Sequence, residues 1–385
     1  MPNPQAIRLQ SPTTPAFRQP AKLKDIDMLT LEFNDPQCSD TSLVGGKAAS
    51  LAQMTAQGLP VAPGFAVTAD SYHRYLAEDG LQQHIDKVLG DLGTNPSQVQ
   101  FDEAERLIGE RLMEVPLPQD VALAIEEAYT KLSNDCQVAD VAVAVRSSAT
   151  AEDSVDASFA GEFETWVDIV GIEDVIAHVH KCYVSVFTGR VLSYLAEKKM
   201  HPQQLEMAVV IQKTVRARAA GVMFTLSPTS GDRSRIVLEA SWGLGLSVVG
   251  GEVTPDRFML EKITLEVVLR ETGHKHIEYR RGDAPQPVPA DRQDVLCLSD
   301  EEVVELARFG KRLEQIHGSA QDIEFAVDEE LPEGKNLVLL QCRPETVWSN
   351  IERKPAFDTG ASMMSWITSS ISGGTGTAPT DTHSH

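Results

Sequence analysis

No stretch of the 385-residue chain approaches the roughly 20 consecutive apolar residues that span a bilayer. The first residues, MPNPQAIRLQSPTTPAFRQPAKLK, lack the apolar centre of a secretory signal. Their Pro, Gln and Thr content is that of a loose arm able to bind a partner. Cysteine is sparse: five residues (Cys38, Cys136, Cys182, Cys297 and Cys342), far apart and with no CxxC. That argues against a disulfide framework or a thiolate zinc site, and for free buried thiols in a reducing cytoplasm. Positive charge is also short. There are 34 Lys and Arg against 56 Asp and Glu, a net charge of −22. Nucleic acid and anionic membranes would be repelled. A nucleotide site stays open, because it needs only a few local cations. No internal repeat is visible.

What is present is ordinary for a globular protein: 42% hydrophobic and 23% charged residues, in a chain long enough for two or three lobes. Four regions are expected. Residues 1–24 form a flexible arm. Residues 25–205 alternate glycine-rich turns with helical stretches such as AASLAQMTAQG and FDEAERLIGERLMEV. Residues 206–349 carry the strand-like runs MAVVIQK, AGVMFTL, RIVLEAS and FMLEKI, the helix DEEVVELARFGKRLEQIHG, and a hairpin. Residues 350–385, rich in Ser, Thr and Gly, form a flexible tail. Strands and helices mixed in this way predict an α+β protein with more than one lobe.

The hairpin QDIEFAVDEELPEGKNLVLLQCRPET raises a chemical question. Residues two apart on a strand share a face, so Asp322 and Glu324 point one way together, as do Gln341 and Arg343. Directly opposed residues in a hairpin have a constant index sum. The pairs Asp322/Arg343 and Glu324/Gln341 share one, so the four can meet as two cross-strand pairs. Such a set is either a surface ion-pair patch or a metal–phosphate site. In the second case Mg²⁺ takes the carboxylate and amide oxygens and arginine forks the phosphate.

Other motifs are individually ambiguous. LVGGKAASLAQM puts Gly45 and Gly46 before a helix and Lys47 in its first turn, an arrangement open to phosphate. It is not a Walker A loop, since Ala48 stands where Ser or Thr is required. VAVAVRSSATAEDSVDASFAGEFET runs a strand into Arg146, with Ser147, Ser148 and Thr150 following. Arg146 is either a phosphate clamp or the partner of Glu152 or Asp153 in a surface loop. GLGLSV follows a strand, but Val248 breaks the dinucleotide fingerprint. Glu239 ends that strand and can face the same site. MAVVIQK ends in Gln212 and Lys213, where edge backbone groups can hydrogen-bond an adenine. The histidines His178, His180, His274, His276, His317, His383 and His385 read as solvated, and none opens a helix from a glycine-rich loop.

Taken together, LVGGKAASL, VAPGFAVTADSY, VRSSATAEDSVDASFAGEFET, GVMFT, SWGLGLSVVGGEVTPD and QDIEF…QCRPET resemble the N-terminal nucleotide-binding part of phosphoenolpyruvate synthase and pyruvate phosphate dikinase. The blocks run in family order from about Leu29 to Trp348. The resemblance implies an ATP-grasp fold with nucleotide held between two lobes. It implies that Lys47 and Arg146 hold phosphates, that Asp322, Glu324 and Gln341 surround Mg²⁺, and that Arg343 stabilises the transferring phosphoryl. Gln212 and Lys213 would lie by the adenine, and Ser158 to Gly161 would cover the phosphates. The family's swivelling phosphohistidine domain and pyruvate barrel have no counterpart in this sequence. The expectation is therefore an ATP-binding subunit that phosphorylates a histidine on a partner subunit. The arrangement is similar to phenylphosphate synthase acting on phenol, with pyruvate as the second candidate acceptor and a non-catalytic nucleotide sensor as the rival.

Overall fold

The structure, a computed structural model, describes residues 28–348 apart from 151–152, 155–156, 159–164, 201, 203–204 and 283. The expected arm at 1–24 and tail at 350–385 lie outside the described residues. Among the described residues no helix is long and apolar enough to cross a membrane.

Two antiparallel sheets organise the chain, as an α+β protein requires. The first contains β1 (Thr30–Glu32), β2 (Gly64–Val67), β3 (Val143–Ala149), β4 (Thr165–Ile169) and β5 (Met207–Lys213), in the order β1-β2-β5-β3-β4. The second contains β6 (Ala217–Phe224), β7 (Arg235–Trp242), β8 (Asp256–Glu261), β9 (Val267–Glu271), β10 (Gln321–Asp328) and β11 (Leu337–Pro344), in the order β9-β8-β7-β6-β10-β11. The chain moves from one sheet to the other between β5 and β6, so MAVVIQK is an inner strand of the first sheet.

Strand alternation splits each sheet into two faces. On the first sheet Phe65, Val67, Val143, Val145, Val209 and Ile211 face one core. That core is completed by α2 (Ala69–Leu76), α3 (Leu81–Asp91), α4 (Gln98–Glu114), α5 (Gln119–Asp135), α6 (Ile172–Ser185) and α7 (Gly189–Glu197). Leu31, Ala66 and Val210 face the other way, into a second core shared with Met223, Leu238, Phe258, Ile323 and Phe325 of the second sheet. Two helices fill this second core. One is α1 (Thr41–Ala56), through Val44, Leu51 and Met54; the other is α8 (Asp300–His317), through Val303, Leu306 and Leu313. The ends of α8 are set by its sequence. Ser299 and Glu302 form a reciprocal capping box, and Gly318 closes it in the left-handed conformation at φ 69°.

The remaining face of the second sheet carries the polar residues. The pairings align Arg257, Glu239, Val222, Glu324 and Gln341 in one row across five strands. A second row on the same face aligns Val237, Phe224, Asp322 and Arg343.

Two expectations are corrected by the strands. Arg146 was read at a strand end, but β3 continues to Ala149 because β5 supplies ladder partners as far as that residue, although the pairing with β4 stops at Arg146. Glu239 likewise lies within β7, which runs on to Trp242. All five cysteines are free, and four are buried. Burial pushes the thiols of Cys38 and Cys342 up to about 12. His180 departs from the solvated reading: it is buried, 2.7 Å from the Tyr75 hydroxyl, and burial lowers its pKa.

Candidate functional site

The hairpin pairs as its index sum requires: Asp322 opposite Arg343 and Glu324 opposite Gln341. Immediately beyond, the register shifts, so that Phe325 faces Leu339 and Leu340 is the extra residue of a β-bulge. The Leu340 carbonyl accepts a hydrogen bond from Arg146 Nη1 at 3.1 Å. The bulge thus gives the edge of the second sheet a grip on the first.

Arg146 is the centre of the arrangement. It reaches across from β3, and only 9% of it is exposed. Its Nη2 donates to Glu324 Oε2 at 3.0 Å and, more closely still, to Gln341 Oε1. Among the described residues the carboxylate it pairs with is Glu324; Glu152, an alternative partner, lies outside them. Arg146 Nε is buried without a protein partner.

Lys47 arrives from α1, which begins after the N-cap Asp40 and is broken at Gly45. There φ is 72°, and a Cβ would stand 2.1 Å from the Ser148 carbonyl oxygen, so only glycine fits. The Ser148 hydroxyl donates to the Val44 carbonyl at 2.8 Å and accepts from the Ala48 N–H at 3.3 Å, clamping this kink to β3. The helix start expected after Gly46 is therefore a restart within a longer helix. The Lys47 ammonium donates to the Ser147 carbonyl at 2.9 Å, the residue next to Arg146. Ser50, one turn on, donates to the Cys342 carbonyl at 2.6 Å and ties α1 to β11.

Asp322 lies 3.5 Å from Arg343 Nε through Oδ2, while its Oδ1 is buried with no partner. Burial raises its pKa to about 6, with Arg343 pulling it down and Glu345 adding to the rise. A buried carboxylate oxygen, a buried guanidinium N–H and a row of oxygens facing them are what an absent polar ligand leaves behind. Among the described residues no three His, Cys, Asp or Glu side chains form a ready-made metal cage. The donor set of two carboxylates and one amide suits a hard cation that keeps phosphate oxygens among its ligands. ATP with Mg²⁺ therefore fits the residues present.

Lys47, Arg146, Asp322, Glu324, Gln341 and Arg343 are thus gathered at one junction between the sheets. Glu239 lies on the same face, two strands from Glu324. Gln212 shares Arg146's face of the first sheet but is buried, its amide 3.3 Å from the Ala62 carbonyl. Lys213 is not gathered with the others. It pairs with Glu330 at 3.1 Å, and both line a separate cavity of about 380 Å³ with Arg281 and Asp168. The backbone N–H groups of Lys213 and Thr214 are already given to Pro63 and Ala142. Ser158 belongs to a short strand paired with Asp153, and Gly161 lies outside the described residues.

Sequence reasoning missed Arg257. It stands opposite Glu239 in the register of the polar face, its Nη1 lies 3.9 Å from Glu271, and its Nε is buried and unpartnered. Only the register of distant strands reveals it.

A family model for the pyruvate phosphate dikinase AMP/ATP-binding domain matches residues 41–362. The chain belongs to this family. It is 40% identical over 311 residues to a probable phosphoenolpyruvate synthase of Methanocaldococcus jannaschii, covering 80% of this chain and 26% of the relative. It is 39% identical over 338 residues to the phosphoenolpyruvate synthase of Aeropyrum pernix, covering 80% and 41%. The phosphoenolpyruvate synthase of Neisseria meningitidis is 36% identical over 345 residues, covering 85% and 43%. The chain therefore spans less than half the length of these curated relatives. An ATP-binding domain of the dikinase family is what the matched region represents, and the junction around Arg146 lies wholly within it.

Proposed function

We propose that this chain is the ATP-binding, phosphoryl-donating part of a phosphoenolpyruvate-synthase-type dikinase, which converts ATP, pyruvate and water into phosphoenolpyruvate, AMP and phosphate. The observation that carries the reading is the junction itself: Asp322, Glu324, Gln341 and Arg343 on one wall, with Arg146 and Lys47 facing them. The names of the relatives favour pyruvate as acceptor over the phenol of a phenylphosphate synthase.

In this reading Lys47 and Arg146 bind and orient the phosphates. Asp322, Glu324 and Gln341 would hold Mg²⁺, which supplies neutralisation of phosphate charge. Arg343, the most exposed of the set at 45% of its side chain, faces outward and stabilises charge on the phosphoryl as it leaves. Glu239 holds the nucleoside; the expected phosphate cover from Ser158 to Gly161 falls largely outside the described residues. The buried Gln212 shapes the floor beneath the adenine. Lys213, held by Glu330 at a separate cavity, stands outside this reading. The histidine that takes the β-phosphoryl, and the pyruvate site, belong to a partner subunit or to further residues of a longer protein.

β-labelled ATP, Mg²⁺ and pyruvate, added to the chain with its co-purifying partner, test this. AMP formation with acid-labile label on the partner is the expected result. Bound ATP without AMP or label, with the partner demonstrably attached, would overturn it in favour of a nucleotide sensor.

A further inference from the structure

Arg146 has two roles to fill and one guanidinium. Its Nη2 lies 3.0 Å from Glu324 Oε2 and also donates a hydrogen bond to Gln341 Oε1. These two oxygens belong to the side chains that would hold the metal. They converge on a single positively charged nitrogen, which stands where a cation would bind. Resting on the nucleotide reading above, we propose that Arg146 is an internal substitute cation that keeps the metal site closed until nucleotide phosphate draws it away.

The hydrogen bonds describe how the exchange would run. Arg146 is nearly buried, and its third fork donor, Nε, is unused. A phosphate binding in bidentate fashion can take Nε together with one terminal nitrogen. Doing so turns the guanidinium away from Glu324 and Gln341. Asp322 is in the same state, its Oδ2 beside Arg343 Nε and its Oδ1 without a partner. Each metal-side carboxylate is thus held by an arginine whose other role is with phosphate.

A divalent cation arriving alone must displace a buried guanidinium that has no other anion to go to. ATP arriving alone meets two carboxylates. Arriving together, the phosphates take the arginines and the cation takes the carboxylates. Binding of the two is therefore positively coupled through Arg146, in both directions.

Binding of Mn²⁺ to the nucleotide-free chain, followed by electron paramagnetic resonance, tests this. Arg146→Gln is expected to bind Mn²⁺ about tenfold tighter or more than wild type. Arg146→Lys, which keeps a cation in place, should stay as weak as wild type. Equal Mn²⁺ affinity in Arg146→Gln and wild type would overturn the proposal. Glu324→Gln supplies a second route should Arg146→Gln fail to fold. It frees Arg146 from its ion pair, so ATP binding in EDTA should tighten several-fold; unchanged or weaker binding would count against the proposal. A wild-type chain that binds no Mg·ATP at all would instead remove the nucleotide reading itself.

Discussion

Two acid–base clusters in the second sheet use the same chemistry to opposite ends. Asp256 and Lys275 are both fully buried, 2.5 Å apart. Asp256 also accepts from the Gly273 and Cys297 N–H groups at 2.8 and 2.7 Å, and Lys275 donates to the Gly273 carbonyl at 3.0 Å. Neither side chain is left with an unpartnered buried atom among the described residues. The cluster around Arg146 is partly open, joins both sheets, and leaves Arg146 Nε and Asp322 Oδ1 without partners. A buried ion pair in which every polar atom has a partner holds its segments in one arrangement. A cluster that stops short of satisfaction is arranged for something that arrives later.

The largest effect that would sharpen this contrast is on catalysis. Arg343→Ala should reduce AMP formation with the partner by about a thousandfold or more while the thermal melt stays in place. Full activity in that variant would remove Arg343 from the site. Lys275→Met should do the reverse. Leaving Asp256 charged and unpaired should lower unfolding free energy by about 3–5 kcal/mol in a denaturant titration, with Mg·ATP affinity unchanged in the folded fraction.

Gly45→Ala bridges the two classes. Its new methyl must push against the Ser148 backbone, so about 1–3 kcal/mol of stability and some ATP affinity should be lost together. The pH dependence of Asp322 is of the same order. Its folded pKa, about 6, lies above the unfolded value of 3.8. The neutral acid therefore favours the fold at low pH, and that contribution disappears as pH rises through about 6. The ligand-free chain should lose about 1–3 kcal/mol on this account between pH 4 and 7. Asp322→Asn should flatten the profile.

The hairpin register was legible because alternation and a constant index sum are both local rules, and the four side chains fall where those rules put them. The bulge at Leu340 was not, since no glycine or proline marks it and the pull of Arg146 comes from another sheet. The extent of β3 was misjudged for a related reason: SSA reads as a loop on its own, yet β5 pairs with it through Ala149. Gly45 and Gly46 were read as a turn before a helix, while the earlier start of α1 at Thr41 was hidden behind them. Lys213 shows the limit of position in a motif. Alternation turns it to the face opposite Gln212, and Glu330 on the β10–β11 turn takes its charge. His180 looked like any helical histidine until Tyr75 and the Leu112 carbonyl closed around it.

The most direct measurement is a calorimetric titration of a non-hydrolysable Mg·ATP analogue into wild type and Glu324→Gln, with a thermal melt of each. The account predicts binding to wild type, a loss of about a hundredfold in Glu324→Gln, and coincident melts. Wild-type affinity in Glu324→Gln, or a melt lowered as far as that of Lys275→Met, would show that the carboxylates facing Arg146 are a second structural ion pair and not a metal–nucleotide site.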